Sequence, residues 1–271
     1  MLEIGHAELV EFTRFIRLNF GINLEAKHKL VEGRLGNYIL EAGFTSFSEF
    51  LEYAYNDTSG KEWPRLIERL TTNHTYFFRE SAHFDFMAQT VLPQLEKSIT
   101  NRDIRIWSAG CSSGEEPYSI AMVLAQHFGL AGSLWDKRIL ATDISARVLE
   151  TARAGRYPAS ALEELPARYK SQYFKKLAGD QFEIVPQLRD EVIYRLLNLI
   201  HDEFPFRSRF HVIFCRNVMI YFDPETKNDL VDRFYDWTEP GGYLFIGHTE
   251  TINRQDSRWR YIRPAVFQKP Y

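Results

Sequence analysis

The sequence predicts a doubly wound, mostly parallel α/β sheet behind a helical amino-terminal domain, with a small antiparallel insert. Three observations predict it. From Ile104 onward, apolar runs of strand length alternate with amphipathic stretches of helical spacing, the pattern of a parallel sheet covered on both faces. The stretch from Ile104 to Ala121, I-R-I-W-S-A-G-C-S-S-G-E-E-P-Y-S-I-A, reads as strand, glycine turn and helix. Residues 1–72 carry helical periodicity alone.

In that first segment Leu9, Phe12, Phe15 and Ile16 share one helix face. Leu30, Val31, Leu35, Tyr38, Ile39 and Ala42 make a second apolar set that ends at Gly43. Ser46 and Glu49 have capping-box spacing ahead of Phe50, Leu51 and Ala54, and Pro64 opens a segment carrying Leu66, Ile67 and Leu70. Lys27, Lys29 and Arg34 give the second helix a basic side among Glu25, Glu32 and Glu41; a solvated charged face is its plain reading. The linker at 73–84 begins N-H-T-Y-F-F-R, with Asn73, Thr75 and Arg79 around Phe77 and Phe78. A segment that inserts side chains into a site has this composition.

Residues 85–271 form the α/β domain. Strands are predicted at Ile104 to Trp107, Ile139 to Thr142, Val192 to Leu197, Val212 to Cys215, Tyr243 to Gly247 and Val266 to Lys269. Helices are predicted at Glu115 to His127, Ala146 to Ala154, Pro166 to Tyr173 and Pro224 to Trp237, with Glu239-Pro-Gly-Gly as a turn. The insert is expected at about 179–194, where Gln181 to Val185 and Val192 to Tyr194 alternate.

The apolar fraction of 45% and charged fraction of 25% are those of an ordinary soluble protein, and 271 residues allow a sizeable core. No run reaches the ~20 apolar residues that span a bilayer, and Met1 to Phe20 has no signal-peptide core. A cytoplasmic protein without membrane insertion is expected. A net charge of -3 argues against nucleic acid, and the two cysteines, Cys111 and Cys215, suggest neither a metal nor a disulfide framework.

The glycine turn admits three readings: an ordinary βα turn, a nucleotide-like cofactor site, or the G-x-S-x-G elbow of a serine hydrolase centred on Ser112. Glu115 and Glu116 at the helix start would repel a phosphate, so a cofactor there is cationic or rich in hydroxyl and amine donors. The same acids, with Ser112 in place of the glycine that approaches a pyrophosphate, argue against NAD. The hydrolase needs earlier strands for its oxyanion loop, and only helices precede Ile104. Asp143 ends the second strand, where a carboxylate accepts the hydrogen bonds of a ribose diol; helix capping by Asp143 or Ser145 is the alternative. Asn198 and Leu199 follow the third strand and suit an adenine edge and face. Arg216, Asn217 and Tyr221 follow the fourth, and polar groups at an apolar strand end mark a site rather than a core.

Together W-S-A-G-C-S-S-G-E-E-P-Y-S-I-A, N-H-T-Y-F-F-R, A-T-D-I-S, and C-R-N-V-M-I-Y-F-D followed by G-H-T-E resemble the CheR family of chemotaxis receptor methyltransferases. The resemblance spans nearly the whole chain. It implies a class I S-adenosylmethionine-dependent methyltransferase fold and methylation of glutamate side chains on the cytoplasmic helical bundle of chemoreceptors, with S-adenosylhomocysteine as product. It implies cofactor contacts from Asn73, Thr75, Arg79, Glu115, Asp143, Asn198, Leu199, Arg216 and Asn217, with Arg79 and Tyr221 orienting the reacting groups. Receptor docking through Lys27, Lys29 and Arg34, and a monomer, are expected with it. His74 stands where family members typically carry Glu, and the insert looks short for docking a receptor's carboxyl-terminal pentapeptide.

Overall fold

The computed structural model describes residues 2–25, 27–71, 74–130, 134–200, 203–253 and 257–271, which divide between two compact units. The first holds Met1–His74 together with Asn198–Glu203 and Tyr221–Lys227. Its helices are α1 (His6–Phe20), α2 (His28–Glu41), α3 (Phe47–Tyr55) and α4 (Glu62–Leu70). Phe12, Ile16, Val31, Leu35, Ile39, Phe50 and Leu66 are buried, the apolar faces the periodicity marks. Ser46 caps α3 by accepting the Glu49 N–H at 3.2 Å. Ile22 bridges Phe222 in antiparallel fashion, and Arg17 Nε donates to Asp223 at 2.8 Å.

The second unit comprises Thr75–Leu197, Phe204–Ile220 and Asn228–Tyr271. It opens with α5 (Ala82–Phe86), a π-turn (Met87–Val91) and α6 (Leu92–Ser98). Then come β1 (Ile106–Ala109), α7 (Glu115–Phe128), β2 (Ile139–Asp143), α8 (Ala146–Ala154), β3 (Arg156–Pro158), α9 (Ala167–Tyr173), β4 (Phe174–Lys176) and β5 (Gln181–Ile184). The chain continues with α10 (Pro186–Arg189), β6 (Val192–Leu196), β7 (Phe210–Cys215), α11 (Pro224–Asp236), β8 (Thr238–Ile246), β9 (Arg260–Arg263) and β10 (Val266–Gln268).

The main sheet runs β6-β2-β1-β7-β8-β10-β9. Its first five strands are parallel, and β10 and β9 are antiparallel. The chain builds outward from β1 through β2 to β6, then returns to β7 on the other side of β1. That reversal makes the carboxyl ends of β1 and β7 the switch point where open α/β sheets place their ligand crevice. Trp107, Val212, Ile213, Phe214 and Phe245 are buried in the strands, and Phe214 and Phe245 stack with ring centroids 4.4 Å apart.

Several expectations are corrected. The antiparallel insert lies between Arg156 and Ile184 as a second sheet, β3-β5-β4, rather than at about 179–194. Val192–Leu196 pairs in parallel with β2 as an edge strand of the main sheet. Three-residue strands such as Phe174–Lys176 are too short to show a period. The first strand begins at Ile106, two residues later than its periodicity indicates. Ile104 is instead buried with its N–H on Asp136 O at 2.9 Å. Glu239-Pro-Gly-Gly lies inside β8, where pairing with β7 is irregular between Phe210 and Val212. Among the described residues, no helix is long and apolar enough to cross a membrane.

Candidate active site

The turn after β1 is made by its backbone. Gly110 has φ 81°, and a Cβ there would lie 2.4 Å from Val218 Cγ2. Ser112 has φ 49° and Gly114 φ 98°, so the chain folds back before α7 starts. Gly110 and Cys111 N–H both donate to Thr142 O, tying the turn to the end of β2.

Asp143 faces this turn. Its Oδ2 accepts the Ser112 N–H at 2.8 Å and its Oδ1 the Ser145 N–H at 3.0 Å. Ser145, not Asp143, caps α8, through its hydroxyl on the Val148 N–H. Burial pushes the Asp143 pKa up, against the pull of the Ser145, Ser112 and Ile144 N–H groups. Glu115 is likewise raised by burial while its carboxylate accepts the Ser113 hydroxyl at 2.7 and 3.0 Å.

At the end of β7 stands Arg216, its side chain 2% exposed and clamped between two carboxylates. Nη2 meets Glu80 Oε2 at 3.0 Å and Nη1 meets Glu116 Oε2 at 3.2 Å, while Nη2 also donates to Arg79 O. Glu116 takes the Ser108 hydroxyl at 2.7 Å on its other oxygen. Burial raises its pKa, and Arg216 opposes the rise. Burial also acts to raise Glu80, but Arg216 and the His248 N–H outweigh it and hold the group below its ordinary range. Arg216 Nε is buried and has no hydrogen-bond partner among the described residues.

Asn217 follows with φ 59°, a left-handed conformation that asparagine tolerates better than most residues. Glu250 holds it there: its Oε2 accepts the N–H groups of Asn217 at 3.0 Å and Gly247 at 2.6 Å. Gly247 leaves room for this arrangement, because a Cβ would fall 2.5 Å from Asn217 Nδ2. Glu80, His83 and His248 bring ligand-type atoms within 4.8 Å of one another. The Arg216 guanidinium on Glu80 Oε2 puts a permanent cation beside the same oxygen, which argues against a metal there.

Of the residues singled out by sequence, Glu115, Asp143, Arg216 and Asn217 stand at the strand ends and α7 start of the second unit. Thr75 and Arg79 are half-buried there, with the Arg79 guanidinium 6.0 Å from the Tyr76 ring centroid. Asn198, Leu199 and Tyr221 belong to the first unit, where Asn198 Nδ2 donates to Asn19 O at 2.7 Å and Tyr221 O accepts the Asn23 N–H at 2.9 Å. Asn73 lies outside the described residues. Lys27 and Lys29 are exposed, whereas Arg34 Nη1 donates to the carbonyls of Leu70 at 3.0 Å and Thr71 at 2.8 Å. That guanidinium covers the negative end of α4, which distinguishes it from the two lysines. Glu80 and Glu250 escaped the sequence reading. A buried arginine at a strand end demands acidic partners, a signal that calls for acids near Arg216 without naming them.

The reversed strand order, the acidic helix start after β1 and the carboxylate after β2 fit the fold of an S-adenosylmethionine-dependent methyltransferase. The chain belongs to the CheR methyltransferase family. Residues 73–266 match the CheR methyltransferase SAM binding domain, and residues 7–71 match the CheR methyltransferase all-alpha domain. It is 44% identical over 272 residues to the chemotaxis protein methyltransferase of Borreliella burgdorferi, covering 99% of this chain and 96% of that one. It is 35% identical over 270 residues to the chemotaxis protein methyltransferase of Escherichia coli K12, covering 98% and 92%. A probable chemotaxis protein methyltransferase of Rhizobium etli is 37% identical over 233 residues, covering 84% and 86%.

The chain is thus a methyltransferase with S-adenosylmethionine as its cofactor, and its residues fit that group. A carboxylate offers about four lone-pair positions, so Asp143, which meets the Ser112, Ser145 and Ile144 N–H groups, keeps acceptor capacity for a diol hydroxyl. The orphaned Arg216 Nε donor and the acidic start of α7 suit a ligand with a carboxylate, an amine and a sulfonium and no phosphate.

Proposed function

We propose that the chain methylates glutamate side chains on the cytoplasmic helical bundle of chemoreceptors, forming methyl esters in chemotactic adaptation. The observation that carries this is the match of both CheR domains, in order, along the chain. The curated relatives are chemotaxis methyltransferases by name, which supports a receptor as the substrate.

S-adenosylmethionine, when bound, supplies an electrophilic methyl on a sulfonium, with S-adenosylhomocysteine as product. Asp143 accepts the ribose hydroxyls, and Glu115 answers positive charge at the start of α7. Asn73, Thr75, Asn198, Leu199, Arg216 and Asn217 complete the cofactor contacts in this reading. A glutamate carboxylate is already ionised at neutral pH, so no residue has to remove a proton. Arg79 and Tyr221 then serve to orient the reacting groups, and the catalytic gain comes from alignment and partial desolvation.

Lys27 and Lys29 supply a basic face for the acidic receptor bundle, with Arg34 supporting it through α4. The protein acts in the cytoplasm as a monomer. Exposed charge pairs contribute ~0.2 to 1 kcal/mol each, so docking rests on several together and weakens with salt. The test is transfer of a labelled methyl group to a receptor cytoplasmic fragment, scored as base-labile ester. Lys27→Glu with Lys29→Glu lowers labelling by about tenfold and leaves cofactor affinity unchanged. The three-stranded sheet β3-β5-β4, larger than the sequence indicates, favours a second reading in which the receptor's carboxyl-terminal tail docks there. Labelling that survives the double reversal but disappears with the tail establishes that second reading.

A further inference from the structure

The turn that carries Arg79 is strained on both sides. Phe78 and Glu80 each have φ 56°, a left-handed region that is strained for residues other than glycine. Such a backbone persists only when its surroundings over-determine it. On the Phe78 side the hold is plain: its N–H donates to Ser119 Oγ at 2.9 Å, and its ring packs 4.7 Å from Tyr169 and 5.1 Å from Phe84. Phe77 adds edge contacts to Tyr157 and Phe174.

On the other side the hold is electrostatic and runs through one carboxylate. Glu80 Oε2 takes Arg216 Nη2 at 3.0 Å, and Oε1 takes the His248 N–H at 3.2 Å with Asn217 Nδ2 at 3.5 Å. Its side chain is 13% exposed, so these bonds are little shared with water. Arg216 in turn donates to the carbonyl of Arg79 itself. The loops after β7 and β8 are therefore both fastened to the residue next to Arg79.

We propose that Glu80 is the positioning residue for Arg79: its carboxylate locks the strained Phe78–Glu80 turn onto the loops after β7 and β8 and so aims the Arg79 side chain into the cofactor crevice. The proposal rests on the reading of Arg79 as a cofactor-orienting group. The neighbouring Asn217 and His248 bonds explain why a neutral isostere would not substitute: a glutamine amide could serve those two donors through its oxygen but would turn an N–H toward Arg216.

The experiment is a double-mutant cycle read by calorimetric S-adenosylmethionine affinity on the full chain, with amide exchange of the cofactor-free protein alongside. Glu80→Gln should weaken binding by about tenfold or more, the scale of a lost charge-assisted bond. It should also speed exchange at Arg79 and His248 while β1 and α7 stay protected. Arg79→Ala should weaken binding in the native background and add little in the Glu80→Gln background, because both changes remove the same aimed side chain. If Glu80→Gln does not fold, Glu80→Asp, which keeps the charge one methylene short, carries the same cycle. Additive losses, or native affinity in a Glu80 variant, overturn the proposal. Native affinity in Arg79→Ala overturns it together with the reading of Arg79. Because no receptor enters the assay, failure to methylate a receptor leaves the Glu80 result standing and counts against the proposed substrate alone.

Discussion

The two ends of the parallel sheet both carry charged groups and use them in opposite ways. At the carboxyl end, Arg216 is almost fully buried between Glu80 and Glu116, and Asp143, Glu115 and Glu250 are carboxylates pushed up by burial. At the amino end, Arg105 meets Asp103 at 2.5 Å and Glu239 at 2.9 Å and donates to Arg209 O at 2.7 Å, with the three charged side chains 25 to 36% exposed. The amino end even has a cleft of about 420 Å³, lined by Arg105, His211, Glu239 and Tyr271 among others. The difference teaches that a cavity does not make a site. What marks the carboxyl end is desolvated charge, left-handed residues at Ser112 and Asn217, and a buried donor at Arg216 Nε without a partner.

The sharpest way to break this comparison is to remove one carboxylate from the buried clamp. Glu116→Ala leaves Arg216 with Glu80 alone, and breaking a buried pair by deleting one partner costs roughly 3 to 5 kcal/mol. Glu80 remains, so the lower end, about 3 kcal/mol, is expected. Chemical denaturation measures it, and cofactor affinity should fall in the same variant because Arg216 loses its fixed direction. A loss under about 1 kcal/mol would make this clamp energetically equal to an exposed pair and end the distinction.

The fold was legible where periodicity is long. Ile104 to Ala121 contains the strand, turn and helix, and Asp143 at the next strand end follows from topology alone. Arg260–Arg263 was not legible, since its exposed, charged residues lack apolar alternation and it pairs only on one side, with β10. The insert was misplaced because β3 and β4 are three residues each and acquire their strand character from pairing with β5. In the site, residues that follow strands could be named. Their partners could not, because Glu80 meets Arg216 across 136 positions and Glu250 meets Asn217 across 33. Only the physical demand that a buried Arg216 be neutralised was visible, and it did not say by which acid.

A second test uses pH, since each end of the sheet has one histidine held neutral. Burial, then the Arg216 charge, lowers His83 from its ordinary 6.5 to about 3. Burial, then Arg105, lowers His211 to about 4. His211 Nδ1 accepts the Arg105 N–H at 3.0 Å, so protonation there breaks a bond. For a base whose folded pKa is depressed, the unfolded chain binds the proton first. Stability is therefore complete above 6.5 and falls as pH drops through the window to about 4 for His211 and about 3 for His83. Each contributes a slope of roughly 1.4 kcal/mol per pH unit inside its window. Unfolding free energy measured from pH 7 to 4 should lose one histidine's share of the slope, roughly 1.4 kcal/mol per pH unit, in His211→Gln and the other's in His83→Gln. An unchanged slope in either variant would show that its histidine is already charged in the folded protein.

The smallest effect is expected at the amino end, and there the comparison can be sharpened. Arg105 spreads one guanidinium over Asp103, Glu239 and Arg209 O, but its side chain is 25% exposed and its acids 36% and 30%. Water and salt share those bonds, so Arg105→Met should cost about 1 kcal/mol or less, and part of that cost should vanish in high salt. Further replacement of Asp103 and Glu239 by their amides should then recover stability, because the carboxylates left behind repel each other once the arginine is gone. Cofactor affinity in Arg105→Met should stay native, since among the described residues the Arg105 side chain bonds to Asp103, Arg209 O and Glu239, all at the amino end. A weakened affinity would mean that the two ends communicate through the strands, and the amino-end cleft would then have to be treated as part of the working enzyme.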